Sequence, residues 1–511
     1  MAAGQGSTKK KTGGKVRRGG GAKGAGRRKR EPVFLGEVFT GIAGMQYYDA
    51  DVRPGERIQL EREPENEHDE NAVRVENRDF RQAGHVPRRI SSWLAPLIDA
   101  GEVRVEGRVA EASEAQQAGR AFILIELYLE AKGGHILRGD VDPASEAEAM
   151  HQAVLSVWNA IDEWTDGDVV SSLANRLRPL DSADLLPGTR MLLALFKHRA
   201  WALRRRTEER AMKDVRDSLE RTRVGKPLFW RNLTVFPLFA AADGKPVYIL
   251  LQEAIEKKKA EVREVSDEGS VPELFVENRT AMPILIPEGE ILIGAMQDRT
   301  VNVTILVAAK AAQVIPVSCV EQGRWSRRSD TMASSWYATP GLRSRKVASS
   351  QAHRRTSGKA FSDQSQVWAD VAESLGAAGA VSDTGTLADA FEKAKGRTGE
   401  YREKISLPEG ATGVLAASGE DILGMDLFDS SETLGMLWPR LSESYFFTAA
   451  LREKTGRTRR AVAAGFMKAL PKVVSFAERP AGTGRELELP GDGYAGSGIW
   501  HKGRLCHLSA F

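Results

Sequence analysis

The apolar pattern of this chain changes period twice, and each change limits what the flanking residues can build. Over residues 33–39, 57–60, 72–75, 103–109 and 122–129, apolar side chains alternate or cluster in strand-length runs, the pattern of pleated, half-buried strands. A short helical stretch at 89–97 interrupts them, so a half-open barrel of strands with one small helix is expected over residues 32–135. From Asp142 the period becomes helical. Asp142 and Pro143 supply an N-cap and first-turn pair, and Val154, Leu155, Trp158, Ile161 and Trp164 share one face. Pro187 opens a second helix with Leu192, Leu195, Phe196, Met212, Val215 and Leu219 on its apolar side, which makes 136–224 a helical connector. Strand runs rich in Val, Ile and Leu return at 233–240, 247–251, 274–277, 282–286, 301–307 and 314–320. Helices follow at 367–375, 387–395, 434–451 and 458–470, so 225–511 reads as one large α+β domain. Between the two sets, residues 324–360 hold nine Lys and Arg against one acid, Asp330, and without periodicity they read as a mobile loop.

Charge is distributed as unevenly as periodicity. Residues 1–31 carry eleven Lys and Arg and a single acid, Glu31, in a Gly-rich context, whereas the remainder is net acidic. Such a tail cannot bury apolar surface. It reads as a disordered arm that contacts phosphates and gives salt-sensitive affinity without sequence preference. Two cysteines, Cys319 and Cys506, exclude a disulfide framework and a multi-cysteine zinc site and fit a reducing compartment. No apolar run approaches the ~18 residues of a membrane span, and no apolar segment follows the basic start as a secretory signal requires, so a cytoplasmic setting is expected. The eight histidines show no paired metal spacing, and no P-loop accompanies them, which removes a zinc site and ATP-driven motion from the expected functions.

The first dense cluster of motifs runs GMQYYD, LEREPENEHDENAVRV and AGHVPRR, between Gly44 and Arg89. With these residues, 33–131 resembles the HIRAN domain, a module of fork-remodelling helicases and many bacterial proteins. The resemblance implies an OB-like barrel that binds single-stranded DNA, in its best-understood members by holding the 3′ end. It assigns Tyr47 as a stacking platform and His68 as a second flat ring. Asp69 becomes the carboxylate that accepts a hydrogen bond from a terminal 3′-hydroxyl. Asn66, His85 and Arg88 become polar neighbours of the nucleotide, and Phe122 an apolar wall. The chemistry is consistent, because single strands are held by base stacking at about 1–3 kcal/mol per base together with phosphate neutralisation. Adjacent tyrosines on a strand point to opposite faces, leaving Tyr48 for the core. Residues 49–79 contain eleven acids and five arginines, so strand capture is expected to lean on the basic tail.

A second cluster, PEGEILIGAMQDRTVN followed by VIPVSCVEQGRW, is joined later by GMDLFD and the terminal HLSAF. These segments resemble a bacterial and phage domain associated with ADP-ribosylglycohydrolase and rhodanese-phosphatase genes, covering most of 228–511. The resemblance implies a link to NAD or ADP-ribose as ligand and no established reaction; no cofactor or metal is identified. The residues allow a pocket in which Gln297, Arg299, Asn302, Arg324 and Trp325 bind ligand. Glu288 or Glu321 would be a general base, and Cys319 a nucleophile with His501 or His507 as partner. A Cys between Val317 and Val320 is more often a small buried hydrophobe, and Trp325 either stacks on a base or fills core. The leading expectation is a DNA-binding protein whose barrel reads single-stranded DNA or 3′ ends for a larger effector domain, in DNA damage response or phage defence. The alternatives are an enzyme acting on NAD, ADP-ribose or a related nucleotide, and an adaptor whose helical connector holds protein partners.

Overall fold

The computed structural model describes residues 32–111, 121–137, 146–159, 177, 185–240, 244–452, 456–478, 480–490 and 493–511. The basic tail at 1–31 lies outside them. The chain divides into two compact units, Met1–Thr207 and Glu208–Phe511.

In the first unit six strands form one antiparallel sheet: β1 (Val33–Gly41), β2 (Arg57–Arg62), β3 (Val73–Glu76), β4 (Gln82–His85), β5 (Val103–Val109) and β6 (Phe122–Leu129), in the order β1-β6-β5-β2-β3-β4. An antiparallel bridge between Ala43 and His85 then ties the segment after β1 to β4. At that crossing only glycine fits. Gly84 has φ 148°, and a Cβ there would lie 2.5 Å from the Ala43 carbonyl oxygen. Helix α1 (Arg88–Asp99) begins directly after Pro87 and buries Ile90, Trp93, Leu94 and Leu97. The core unites these with Val38, Val73, Val75, Ile123, Ile125 and Leu127, and with Met191, Leu192, Leu195 and Phe196 from the long helix Pro187–Arg221. Farther along that helix, Ala211, Val215 and Leu219 belong to a core of the second unit. The helix expected from Pro187 therefore contributes residues to a core in each unit.

The second unit is built on three sheets. A nine-stranded sheet runs from Ser475–Phe476 through Arg485–Glu488, Gly496–His501, Arg504–Ala510, Asp421–Phe428, Gly413–Ser418 and Leu233–Phe239 to Arg223–Val224, with Leu228–Trp230 paired to Leu233–Phe239. A six-stranded sheet orders Ala260–Arg263, Glu273–Asn278, Ala311–Cys319, Arg299–Val301, Glu290–Gly294 and Met332–Tyr337, and a three-stranded sheet contains Ile284–Ile286. Helices Gln364–Ala378 and Ser431–Ala450 start where Asp363 and Ser430 accept hydrogen bonds from first-turn amides, as their side chains favour. No helix among the described residues is long and apolar enough to cross a membrane.

Two local expectations are corrected. Residues 324–360 are not a mobile loop: Met332–Tyr337 is a strand and Pro340–Ser357 a helix, with Pro340 in its first turn and Gly358 closing it at φ 79°. Its basic residues hid the helix because Arg343, Lys346 and Arg354 face inward, against carboxylates that lie far away in sequence. Tyr47 and Tyr48 are not on a strand either; Met45–Tyr47 is a single 3-10 turn and Tyr48 is the extended residue after it.

Candidate nucleic-acid interface and a buried ion network

In the first unit the predicted residues sit on the turn after β1, the loop from β2 to β3, the end of β4, the first residue of α1 and the start of β6. The turn that opens at Gly44 (φ 75°) presents Tyr47 with 79% of its surface exposed, while Tyr48 is half-buried with its ring edge-on to His85 at 5.9 Å. The different burial of the two rings follows from the turn, not from strand alternation. The loop from β2 to β3 is fixed by its own side chains. Asn66 Oδ1 accepts from the amides of His68 (3.0 Å) and Asp69 (3.2 Å), and Asp69 Oδ1 accepts from the Asn71 amide at 3.0 Å. His68 is thereby left on the surface. Arg88, the first residue of α1, projects back to this loop, its guanidinium 3.5 Å from Asp69 Oδ2 and 3.3 Å from the His68 carbonyl oxygen.

His85 is engaged within the protein: its Nε2 is 2.7 Å from Glu63 Oε2 and 3.2 Å from Gln82 Nε2, which ties the end of β4 to the loop after β2. Glu63, which no sequence motif singles out, is the hub: it also accepts from Asn66 Nδ2 at 3.2 Å. Phe122 stacks on Phe39 with centroids 5.1 Å apart and planes 3° apart. Tyr47, Asn66, His68 and Asp69 are on loops and Arg88 opens α1, with Tyr47, His68 and Arg88 exposed; His85 ties β4 to Glu63, and Phe122 stacks on Phe39.

The second unit brings most of the motif residues together in its interior and leaves Trp325 exposed. Glu288, Glu290, Gln297, Arg299, Asn302, Cys319 and Glu321 are all buried. The largest cluster centres on Arg343, which lies outside every motif read from the sequence. Its Nε donates to Glu288 Oε1 at 2.8 Å, and its two terminal nitrogens donate to Asp426 at 3.0 and 2.6 Å. Tyr445 donates to the same carboxylate at 2.5 Å, and His507 Nε2 is 3.3 Å from it, with His507 Nδ1 2.8 Å from Thr304 Oγ1. Phe511 lies over the guanidinium at 4.8 Å. Gly289, at φ 82°, lets Arg343 lie against the backbone, because a Cβ there would be 2.7 Å from its Nε. The PEGE, GMD and HLSAF segments therefore meet at one guanidinium. Burial alone would raise the Asp426 carboxyl, but Arg343 and His507 outweigh it and hold it well below the usual carboxylate range. Lys346, fully buried beside Glu288 and bonded to the Val301 carbonyl, is lowered by that burial to about 8.

A second cluster contains Glu321 and Arg324 as a two-pronged pair at 2.9 and 2.6 Å, with Glu321 also accepting from the Asp298 amide. Here Asp298 is raised, first by burial and then by the adjacent Glu321. Gln297 Oε1 accepts from Arg299 at 3.2 Å and from the Cys319 thiol at 2.8 Å. Asn302 is held by Ser318 and the Ala360 carbonyl. Trp325 is 46% exposed, with the Arg299 guanidinium 5.6 Å from its centroid.

The ligand-binding and catalytic candidates thus fall into more than one cluster. Glu288 and Glu321 belong to different clusters, each already paired with an arginine, and neither is placed as a free base. Burial pushes the Cys319 thiol up to about 11, and its neighbour is Gln297, whereas His507 is committed to Asp426 and Thr304. That is the reverse of an activated thiolate. Near the second cluster a cavity of about 320 Å³ is lined by Glu261, Arg263, Glu264, Asp267, Arg327 and Asp330, without the expected ligand-binding residues. Arg343, Lys346 and Asp426 had one sequence signal available: charged residues at helix or strand spacing with no acid-base partner nearby in the chain.

Comparison with known proteins agrees with both halves. Over 79 residues the chain is 40% identical to a putative SWI/SNF-related matrix-associated actin-dependent regulator of chromatin subfamily A member 3-like 1 of Arabidopsis thaliana, covering 16% of this chain and 9% of that protein. Over 77 residues it is 36% identical to the helicase-like transcription factor of Mus musculus, covering 15% of this chain and 8% of the relative. The chain thus spans less than a tenth of these relatives. A crystal structure of the HIRAN domain of human HLTF matches with 25% identity and a TM-score of 0.19, covering 20% of this chain and 83% of that one. A HIRAN domain model matches residues 35–132. With its family model matching residues 221–511, more than half of its length, the chain belongs to the ARG and Rhodanese-Phosphatase-superfamily-associated Protein domain family and joins that domain to a HIRAN domain.

Proposed function

We propose that the protein binds DNA through its HIRAN domain, holding the 3′ end of a single strand on the loops that carry Tyr47, Asn66, His68, Asp69 and Arg88. The observation that carries this reading is Tyr47, an aromatic ring 79% exposed on a turn whose neighbouring loop presents a second flat ring, a carboxylate and a guanidinium. A large ring left in water on a single turn stabilises nothing locally. It gains when a base stacks on it. Asp69 retains an oxygen toward Arg88, so a terminal 3′-hydroxyl can donate there while a 3′-phosphate meets repulsion. In the second unit Glu288 is engaged by Arg343 and Glu321 by Arg324, which favours a scaffolding role for these carboxylates over chemistry at Glu288, Cys319 or Glu321.

Fluorescence anisotropy with a short single strand tests the end reading. A 3′-hydroxyl strand should bind more tightly than its 3′-phosphorylated form, and Tyr47→Ala should weaken it about 5- to 150-fold, the equivalent of ~1–3 kcal/mol for one stacked base. Asp69→Ala should remove the preference for the hydroxyl. Equal affinity for both ends in the unaltered protein defeats the proposal.

A further inference from the structure

The long helix Pro187–Arg221 does more at its outer surface than its buried face requires. While Met191, Leu192, Leu195 and Phe196 enter the core of the first unit, Trp201 stays 45% exposed. Its indole is parallel to Phe39 within 13° at 5.8 Å, and Phe39 in turn stacks on Phe122 at 5.1 Å and 3°. His198 flanks the indole at 5.8 Å, and the Arg205 guanidinium lies 5.6 Å above it. Three aromatic rings in a near-parallel row, the last one open to water and accompanied by a cation, form the kind of surface on which successive bases stack.

Charge points the same way. Residues 187–207 contain six Lys and Arg, namely Arg190, Lys197, Arg199, Arg204, Arg205 and Arg206, and no Asp or Glu. The loops around Tyr47 are rich in acids, so phosphates leaving them would be drawn toward this helix. The row also starts close to the end-binding loops. Phe122 pairs with Gly41, and three residues later Gly44 opens the turn that carries Tyr47, a chain distance of at most ~10 Å. Anchoring the helix on the sheet would need Trp201 covered, and would not need so long a run free of acids.

We infer that Phe122, Phe39 and Trp201 form a second platform for single-stranded DNA, with Trp201 stacking a base upstream of the captured end and the basic helix taking its phosphates. This deepens the end-binding reading and rests on it. The test uses the full-length protein and two 3′-hydroxyl oligothymidines, one of about four and one of about twelve nucleotides, with Trp201→Leu as the variant because leucine keeps apolar bulk against Phe39. A thermal melt checks that the variant folds, and Trp201→Phe serves as the conservative control. The expected result is a loss of about fivefold or more on the long strand, less than twofold on the short one, recovery in Trp201→Phe, and a shallower salt dependence when Arg205 and Arg206 are both changed to Gln. An equal loss on both lengths, or none on either, overturns the platform. If the long strand depends on Trp201 while 3′-hydroxyl and 3′-phosphate bind alike, the platform stands and the end reading falls. If the ends are discriminated and Trp201 has no effect, the end reading stands and the platform falls.

Discussion

Replacing Arg343 with Met removes the one cation that two buried carboxylates share. Met approximates the length of the side chain and keeps contact with Phe511, so the cavity left is small and the effect is mainly electrostatic. Glu288 and Asp426, each with under 2% of its surface exposed, lose the donors at 2.8, 3.0 and 2.6 Å. Individually these charge-assisted bonds are worth about 1.5–3 kcal/mol each, but they act as one unit, and breaking a buried pair from one side costs about 3–5 kcal/mol in total. Lys346, 3.5 Å from Glu288, and His507, 3.3 Å from Asp426, limit the loss and keep it within that range. For a unit of this size each kcal/mol lowers the melting temperature by about 2–4 °C, so Arg343→Met should melt about 6–20 °C lower in calorimetry of the full chain. Adding Glu288→Gln to Arg343→Met should recover part of the loss, because one uncompensated charge is gone. A single variant that melts within about 2 °C of the unaltered protein would show that the network contributes specificity or nothing, and would refute the reasoning.

The same network sets a pH dependence. Asp426 titrates lower in the folded chain than in the unfolded one, so its stabilisation is present at neutral pH and fades as the pH falls below about 5 toward the depressed folded value. Asp426→Asn should therefore show a flatter acid limb in a stability-against-pH series. Lys346 is depressed too, to about 8; between that value and the ordinary lysine range the unfolded chain binds more protons, so stability climbs with pH there, and Lys346→Met should abolish the climb. Cys319, its thiol raised to about 11 and buried, should react with a disulfide reagent only at the rate of unfolding, and fast labelling of the native protein would contradict its placement. Gly84→Ala should destabilise the first unit by more than the ~1 kcal/mol typical of point substitutions, because the added Cβ meets the Ala43 carbonyl at 2.5 Å; an unchanged melting transition would mean that the crossing can relax.

Legibility in the sequence followed the range of the interactions. The strands at 103–109 and 122–129 and the helix near 89–97 were readable to within a few residues, because alternation and helical period are local signals and the partners of each strand hardly alter them. Tyr47 was readable as the exposed ring only through the family pattern; strand alternation said only that the two rings part, and the backbone there is a 3-10 turn. The polar cluster of the second unit was visible as unusual residues, without any sign of which of them pair. What decides between pocket and core is whether each charge has a partner, and the partner of Glu288 is 55 residues away at Arg343, whose own second partner is 83 residues farther at Asp426. No local pattern carries that information. A helix with Arg343, Lys346 and Arg354 on its buried side has a hydrophobic periodicity close to that of a loop, and this is why the segment that completes the network was the segment least recognisable as structure.

The two halves therefore use arginine in opposite ways, and burial separates the roles more cleanly than sequence context does. Arg88 has 75% of its side chain exposed beside Asp69, where a surface pair is worth about 0–1 kcal/mol and is easily exchanged for a phosphate. Arg343 has none exposed and three bonds to carboxylates, where exchange would leave two buried anions bare. A ligand that binds by displacing an ion pair can do so at the first site at little cost and at the second only by unfolding its surroundings. The proposed recognition therefore falls at the exposed arginine of the HIRAN loops, while Arg343 holds together the buried anions of the second unit.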